Sequence, residues 1–530
     1  MGDATWWQRG VIYHVYPRSF MDGDGDGVGD LPGLLGRLDH LTWLGVDALW
    51  LSPVHPSPMA DFGYDVSDYL DVDPVFGTLE DLDRLLAAAH RRGLRMLLDW
   101  VPNHTSDRHP WFQESRSSRE DPRRDWYVWR DPGPGGGPPN NWLRYIGDSA
   151  WGWDERTGQY YYRVFLDSQP DLNWRNPGVQ EAMFDTLRFW LARGVDGFRI
   201  DALPSLVEDE RLRDNPPNPD YRPGVNLPYL RQLPVWTNDQ PETRELAARM
   251  RKVVDEFGDD RVLLGELVLP MEQTVAYYGP DGGGIQVPFN FELVSGAWDA
   301  RSIAGYVDRY LAALPAGGWP NWVLGNHDSP RVASRVGPAQ ARVAAMLLLT
   351  LPGTPILYYG DELGLTDVPI PPEQARDPIA RLVPGHGRDP VRTPMPWDGG
   401  LGAGFTSGRP WLPVGEANRP LSVAAQRNDP GSMLTLHRRL LRLRRQAPAL
   451  AGGGYEPVEA GGDVLAYLRT GPGKRWLVAL NLGPHPARLA APGLDLSGRV
   501  AAATDPARQD RPVAGELALA GDEGVMVSLD

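Results

Sequence analysis

Short apolar segments rich in β-branched and aromatic residues alternate along the chain with longer amphipathic helical patterns. A chain of this kind folds as parallel strands joined by helical crossovers. Alternation alone is compatible with a doubly wound sheet and favours a (β/α)8 barrel only modestly. The eight predicted strands are Val11–Tyr16, Ala48–Leu51, Arg95–Trp100, Gly197–Asp201, Val262–Glu266, Ile285–Phe289, Trp322–Asp328 and Ile356–Gly360.

The helical patterns between these strands have clear start and stop signals. Thr78 and Asp81 form a capping box before a run of leucines, and Gly93 follows the end of that run. Asn176 followed by Pro177 begins another helix, and Gly194 follows its end. These boundaries place each helix between two predicted strands, as crossovers require.

Two regions depart from the alternation. About 70 residues after the third strand are crowded with Trp, Tyr, Gly and Pro, and from about Ala451 the pattern becomes one of alternating strands. We therefore expect a barrel formed by 1–102 and 174–450, an inserted domain at 103–173 and a C-terminal antiparallel β-sandwich at 451–530. A second long loop, from about Leu363 to Pro413, follows the eighth strand.

Composition excludes several classes of partner. The chain has 69 acidic and 53 basic residues and a net charge of −16, which argues against nucleic acid and anionic membranes. It has no cysteine, and the first residues lack a basic and apolar signal sequence. The longest apolar run, Val343–Tyr359, is interrupted by Pro352 and Pro355, so no membrane span is predicted. We expect a cytoplasmic monomer or weak homo-oligomer.

Carboxylates and histidines gather where the predicted strands end. In a barrel the carboxyl ends of the strands carry the catalytic groups. Asp201, Glu266 and Asp328 occupy this position on the fourth, fifth and seventh strands. His104 and His327 lie in the adjoining segments. Three acids and two histidines at one end of a barrel indicate an acid-based active site.

Six short segments carry a resemblance to a known family. Four resemble the signature segments of the α-amylase family, glycoside hydrolase family 13, and two are typical of its α-glucosidase and oligo-1,6-glucosidase branch. The resemblance covers nearly the whole chain and implies a barrel, a domain inserted after the third strand and a C-terminal β-sandwich. The segments are DWVPNHT (99–105), GFRIDA (197–202), GEL (265–267) and NHD (326–328), then QPDLN (169–173) and RTPMPW (392–397).

The resemblance implies roles for the residues at the strand ends. Asp201 would be the nucleophile, and Glu266 the general acid and then the general base. Arg199, two residues before Asp201 on one strand face, would keep the nucleophile ionised. Asp328 would bind ring hydroxyls and favour a distorted sugar. By the same resemblance His104 and His327 would bind other hydroxyls of that glucose.

An exo-acting site must also close behind the first sugar. Asp61 matches the residue that grips the non-reducing end in α-glucosidases, and Tyr64 would stack on the ring. Arg388 is expected to complete this wall, with Arg392 as the alternative, and Arg331 is expected to face the acceptor subsite. Ala202, directly after the nucleophile, favours α-1,4 over α-1,6 linkages in related enzymes.

The Gly-rich loop after the first strand carries alternate carboxylates, which indicates a Ca²⁺ site. It is not an EF-hand, because Gly33 stands where the twelfth-position glutamate would be. The family branch holds one structural Ca²⁺ or Mg²⁺ here. The matching ligands are Asp22, Asp24, Asp26, Asp30 and the Val28 carbonyl oxygen.

The sequence thus predicts a retaining, exo-acting α-glucosidase acting on short oligosaccharides or disaccharides of the maltose type, with transglucosylation as a second outcome. A trehalose synthase-type isomerase and an oligo-1,6-glucosidase use the same scaffold and stay open as alternatives. The Arg/Asp-rich loop segment of sucrose isomerases is not found. The non-catalytic heavy chains of amino-acid transporters carry a membrane span and have lost the acids, so they do not fit.

Overall fold

A computed structural model describes residues 4–490 and 494–530. Eight parallel strands form one sheet in which the first strand pairs with both the second and the eighth. The remaining edges belong to the sixth and seventh strands, where Asn321 accepts from the amide of Asn290 and donates to the carbonyl oxygen of Pro288. The barrel is therefore nearly closed, and the predicted fold class is confirmed. In chain order the strands are Ile12–Val15, Ala48–Leu51, Arg95–Trp100, Gly197–Ile200, Val262–Gly265, Val287–Pro288, Asn321–Val323 and Thr354–Tyr358.

The last three strands differ from their predicted bounds. The seventh strand ends at Val323, five residues before Asp328. The residues that follow Val323 lie outside the strand, where side chains form hydrogen bonds with backbone groups. Asn326 Oδ1, for example, accepts from the Asp328 amide at 2.9 Å. Asp328 consequently lies on a loop above the barrel end.

Helices surround the barrel, one after each strand. Thr78 and Asp81 form the predicted capping box, and Asn176 caps its helix through the amide of Gly178. The eight helices are Leu31–Leu44, Leu79–Arg91, Pro177–Ala192, Pro241–Asp255, Met271–Ala276, Ala300–Ala313, Pro338–Thr350 and Met433–Gln446. Shorter helices are Trp6–Arg9, Pro17–Phe20, Pro110–Ser115, Glu292–Ser295, Val332–Val336, Pro378–Leu382, Val423–Gln426 and Pro448–Gly452.

Alternation along each strand separates two layers of the core. Ile12, Trp50 and Leu264 belong to a cluster that fills the barrel interior. Their neighbours Tyr13 and Leu49 belong to the larger cluster between strands and helices. Both faces of the strands are buried, which explains why these segments are continuously apolar.

The residues after the third strand form a small three-stranded antiparallel sheet, Trp129–Arg130, Gln159–Tyr162 and Trp151–Asp154 in spatial order. After the last barrel helix the chain forms an antiparallel sheet of six strands and a second sheet of two. Leu489 and Leu517 of the smaller sheet pack against Leu477 and Val527 of the larger one. In spatial order the six strands are Gly454–Val458, Val464–Gly471, Lys474–Asn481, Gly524–Leu529, Ser497–Ala503 and Pro512–Ala514, and the two are Ala487–Leu489 and Leu517–Leu519.

Among the residues that the structure describes, no helix has the length and apolar character needed to cross a membrane. The apolar run noted in the sequence is divided between the helix Pro338–Thr350 and the strand Thr354–Tyr358.

Candidate active site

The guanidinium of Arg199 lies at the centre of a buried acidic cluster. Its Nη1 donates to Asp201 Oδ1 at 2.6 Å and to Asp99 Oδ1 at 2.8 Å. Its Nη2 lies 2.5 Å from Glu266 Oε1. Arg199 and Asp201 share one strand face, and the parallel register brings Asp99 and Glu266 alongside from the neighbouring strands. One cation therefore serves three carboxylates.

This sharing changes the expected electrostatics. Burial raises the pKa of Asp99 to about 7, with Arg199 opposing the rise. Burial also raises the pKa of Asp201 well above its usual range; Arg199 lowers it, and nearby Glu266 and Asp99 add to the rise. Arg199 thus favours the ionised form of Asp201, as expected, but it acts against burial and two neighbouring acids. With all three acids ionised the cluster would be net negative, so retention of one proton is favoured.

The backbone after Asp201 is also constrained. Ala202 has φ +45° and ψ +34°, a left-handed conformation that is unfavourable for a residue with a side chain. In this conformation its amide donates to Glu266 Oε2 at 2.9 Å. The turn thus joins the fourth strand directly to the carboxylate at the end of the fifth.

Asp328 is held from outside the cluster. Arg392 Nη2 donates to its Oδ1 at 2.7 Å, and Arg388 Nη1 lies 3.5 Å from the same oxygen. Burial would raise the pKa of Asp328, but Arg392, Arg388 and Arg199 together hold it below the usual range. About a third of this side chain is exposed, so an ionised carboxylate faces the cavity.

Two neutral histidines line the same space. Burial lowers the pKa of His104 to about 4 and that of His327 well below its usual value. Tyr64 Oη lies 2.7 Å from His327 Nε2 and donates to Asp99 at 3.1 Å. The rings of Tyr64 and His327 lie 5.3 Å apart and are almost parallel. Neutral imidazoles can donate to sugar hydroxyls without adding charge.

A second ion-paired cluster surrounds Arg388 on the cavity wall. Its Nη2 lies 2.5 Å from Asp61 Oδ1 and 2.8 Å from Asp377 Oδ1. Gln169 Nε2 donates to the other oxygen of Asp61 at 3.3 Å. The structure thus places Arg388 against Asp61, whereas Arg392 holds Asp328.

Three residues of the site, Asp99, Gln169 and Asp377, are not among those expected from the sequence. Asp99, in the third predicted strand, and Gln169, in the QPDLN segment, stand in segments that resemble the family, and that resemblance is the available signal. Arg392 is expected only as the alternative to Arg388, and it contacts Asp328. Asp377 lies in a loop without a recognisable motif, and no pattern indicated it.

Arg331 does not face an acceptor subsite as expected. It is fully buried and does not line the cavity. Its Nη1 donates to the carbonyl oxygen of Tyr359 at 2.8 Å, and its Nη2 donates to that of Val391 at 2.9 Å. The side chain anchors the loop after the eighth strand because a buried guanidinium must satisfy its donors.

The cluster opens into a cavity of about 430 Å³. Loops after the second, third, seventh and eighth strands supply one part of its lining: Asp61, Tyr64, His104, His327, Asp328 and Arg388. Loops after the fourth, fifth and sixth strands supply another, which combines the apolar Leu227, Tyr229, Val268, Phe291 and Val294 with the polar Ser205, Asn215, Gln232, Thr237, Asn238 and Ser295. Because strands seven, eight, one, two and three are consecutive in the sheet, these two groups line opposite sides. We call them the donor side and the acceptor side.

The acidic loop after the first strand partly fits the predicted ligand set. Asp22, Asp24 and Asp30 can each place one carboxylate oxygen so that all three lie within 4.8 Å of one another. Asp26 does not belong to this group, and its Oδ1 accepts from the Val28 amide at 2.7 Å. Three hard oxygen donors on one turn suit a divalent cation such as Ca²⁺.

Comparison with known proteins gives consistent matches over almost the whole chain. The profile of the "Alpha amylase, catalytic domain" family matches residues 14–453. A protein of Rhizobium meliloti (strain 1021) described as "Probable alpha-glucosidase" is 44% identical, with 92% of each chain covered. The oligo-1,6-glucosidase of Parageobacillus thermoglucosidasius is 37% identical, covering 90% of this chain and 91% of its own. The crystal structure of the alpha-glucosyl transfer enzyme XgtA superposes with a TM-score of 0.92 at 42% identity, covering all of both chains.

The barrel, its acidic cavity and these similarities define a glycoside hydrolase. The chain belongs to the α-amylase family, glycoside hydrolase family 13, in the branch of the α-glucosidases and oligo-1,6-glucosidases.

Proposed function

We propose that the protein is a retaining, exo-acting α-glucosidase that releases glucose from the non-reducing end of short α-glucosides. The observation that carries the proposal is the ion pair between Arg388 and Asp61, 2.5 Å apart on the donor side of the cavity. In this proposal the pair closes the space beyond Asp328 and stops a chain from extending past the first sugar. The catalytic carboxylates Asp201 and Glu266 share Arg199 at the other end of that sugar site.

In the first step a carboxylate oxygen of Asp201 attacks the anomeric carbon of the bound glucose. The bond from that carbon to the leaving oxygen breaks, and Glu266 gives its proton to that oxygen. The product is a β-glucosyl ester on Asp201 and a free shortened sugar. Retaining pairs need carboxyls about 5–5.5 Å apart, and contact of both acids with one guanidinium supports such closeness.

In the second step Glu266, now ionised, takes a proton from water. The water oxygen attacks the anomeric carbon, the ester bond breaks, and Asp201 is released as a carboxylate. Two inversions give glucose of the original α configuration. Double displacement requires Glu266 to carry a proton and Asp201 to be ionised at the start of each cycle.

Asp328, His104 and His327 would hold the hydroxyls of the same glucose. Asp328 is kept ionised by two arginines, so it accepts hydrogen bonds that strengthen as the ring flattens. The neutral histidines donate or accept without disturbing the charge on the anomeric centre. Ala202 supports a preference for α-1,4 linkages, because a small residue at this position accompanies that preference in related enzymes. A methyl-sized change here is worth about 1–3 kcal/mol of discrimination.

Products followed over time from maltose, isomaltose, sucrose and trehalose test the proposal. We expect glucose as the first product from maltose, at a higher kcat/KM than from isomaltose. Formation of trehalose from maltose would instead establish an isomerase. Faster cleavage of isomaltose than of maltose would establish an oligo-1,6-glucosidase.

Glucosyl transfer is a second candidate outcome of the same intermediate. It is favoured by the 42% identity and full coverage shared with the alpha-glucosyl transfer enzyme XgtA. A sugar or alcohol hydroxyl would then replace water in the second step. Oligosaccharides longer than maltose, rising with maltose concentration, would demonstrate transfer.

We also propose that Asp22, Asp24 and Asp30 hold a structural Ca²⁺ or Mg²⁺. The loop contacts the segment after the eighth strand, where Thr406 donates to Asp22 and the Trp411 amide donates to the Gly27 carbonyl oxygen at 3.0 Å. A bound cation would brace this junction and take no part in the chemistry.

Thermal unfolding of protein freed of metal by a chelator, measured with and without added Ca²⁺, tests the metal proposal. Binding at one hundred times Kd stabilises the folded state by about 2.7 kcal/mol, so Tm should rise. Asp24→Asn should reduce that rise, and Asp26→Asn, outside the group of three, is the matched control. Equal Tm values with and without Ca²⁺ or Mg²⁺ would contradict the site.

A further inference from the structure

Arg388 can close the cavity only if something fixes its direction. Its partners on the cavity side, Asp61 and Asp328, lie on different loops, and the guanidinium lies closer to Asp61 (2.5 Å) than to Asp328 (3.5 Å). An arginine between two such acids could turn toward either one. The orientation must therefore come from a third contact.

Asp377 provides that contact from outside the cavity. It does not line the cavity and it is fully buried. Its Oδ2 accepts from the backbone amide of Arg388 at 2.6 Å and from Nε at 3.0 Å, while its Oδ1 accepts from Nη2 at 2.8 Å. Two parallel bonds from a guanidinium edge to one carboxylate fix the plane of both groups. Nη1 is then directed toward Asp328, and Nη2 also reaches Asp61.

Asp377 is itself held in place by its neighbours. Its Oδ1 accepts from the amide of Ile379 in the first turn of the helix Pro378–Leu382, so Asp377 caps that helix. Its own amide donates to Asp389 Oδ2 at 2.9 Å, and the amide of Arg376 donates to the same oxygen. The two ends of the segment 377–389 are thus joined by side-chain bonds that converge on Asp377 and Asp389.

The same helix contributes to the cavity wall. Ile379 lines the cavity and packs with Leu166 and Val383, against which Tyr145 lies. A shift of Asp377 would move both Arg388 and Ile379. The negative charge of Asp377 also pairs with the positive charge of Arg388. Because Asp377 does not line the cavity, it does not compete with the cavity residues for the hydroxyls of the substrate.

We infer that Asp377 is a positioning residue that sets the closed end of the glucose site by orienting Arg388. The inference rests on the proposed exo-acting function and deepens it. Without the Asp377 carboxylate, Arg388 is free to follow Asp61 or Asp328, and the binding of the non-reducing glucose weakens. The loss falls on KM, because the groups that act at the anomeric carbon are untouched.

The test measures kcat and KM for maltose in Asp377→Asn, together with Tm. We expect KM to rise about tenfold, the size of one lost charged hydrogen bond, with kcat within about twofold of the parent. Asp154→Asn is the matched control. Asp154 is another buried acid paired with an arginine, Arg116 at 2.6 Å, and it lies in the inserted sheet outside the cavity lining. Its substitution should lower Tm without changing KM.

A double-mutant cycle with Arg388→Ala separates positioning from general structural damage. If Asp377 acts through Arg388, adding Asp377→Asn to Arg388→Ala should change KM by less than about twofold. Full additivity, or a wild-type KM in Asp377→Asn, would overturn the inference. A parent protein that releases no glucose from maltose would instead overturn the proposed function, so the two failures are distinguishable.

Discussion

The donor and acceptor sides of the cavity are built on different principles. On the donor side three polar groups are each held by another: Arg388 by Asp377, Asp328 by Arg392, and His327 by Tyr64. On the acceptor side apolar residues lie among polar ones that include Ser205, Gln232 and Asn238, and the apolar Val268 is 72% exposed. Fixed hydrogen-bond partners reject a wrong sugar strongly, because unpaired buried groups are costly, whereas an apolar wall discriminates weakly. We therefore expect one strictly defined sugar on the donor side and a broad range of groups on the acceptor side.

The largest expected effect is at the junction of the two sides. Asp201→Asn removes the proposed nucleophile and should lower kcat for every substrate by about 10⁴-fold or more. Glucose release from maltose and from an aryl α-glucoside measures the loss, and an unchanged circular dichroism spectrum shows that the fold is intact. Near-parental turnover of either substrate would exclude Asp201 as the nucleophile.

Titration of the donor side should appear in stability. The pKa of His104 is about 4 in the folded protein, below the unfolded value of about 6.5. The folded state therefore excludes a proton that the unfolded state accepts. The contribution, about 3 kcal/mol, is complete above pH 6.5 and is lost as the pH falls toward 4.

The variant His104→Gln should lose correspondingly less free energy of unfolding between pH 6.5 and 4, as measured by urea titration. The exposed His485→Gln is the matched control and should behave like the parent. Identical pH dependence in all three proteins would show that His104 does not titrate in this way.

Opening the donor wall should affect binding of all substrates alike. Arg388→Ala leaves Asp61 without its closest cation, and the lost charged contacts predict a rise in KM of about 10- to 100-fold. Steady-state kinetics on maltose and on an aryl α-glucoside should show similar rises. A rise confined to one substrate would place Arg388 in contact with the leaving group instead.

The acceptor side should respond in the opposite manner. Phe291→Ala removes one apolar wall and should change the ratio of kcat/KM between maltose and an aryl α-glucoside by only a few fold, the size expected for an apolar contact. The kcat for glucose release should stay within about twofold of the parent value. A uniform loss on both substrates would remove the distinction between the two sides.

The same contrast explains what the sequence could predict. Asp201, Glu266 and Asp328 stand beside predicted strand ends, where the barrel fixes their position, so short motifs were sufficient to place them. Arg331 was misplaced because its spacing after Asp328 says nothing of direction, and only the packing reveals that it bonds to Tyr359 and Val391.

Long-range pairing accounts for the remaining differences. Asp377 acts on Arg388 through a loop with no motif, and the acceptor lining comes from three loops that meet only in the folded chain. The charge balance around Arg199 depends on Asp99, which lies 100 residues away in sequence. Side-chain pairing at such distances is invisible to local patterns.

The central claim is that Asp201 and Glu266 act on one anomeric carbon by double displacement. Proton nuclear magnetic resonance during the first minutes of hydrolysis, before mutarotation, measures the anomeric form of the released glucose. For an aryl α-glucoside the account predicts α-glucose as the first product. Initial formation of β-glucose would mean a single displacement by water and would contradict the account.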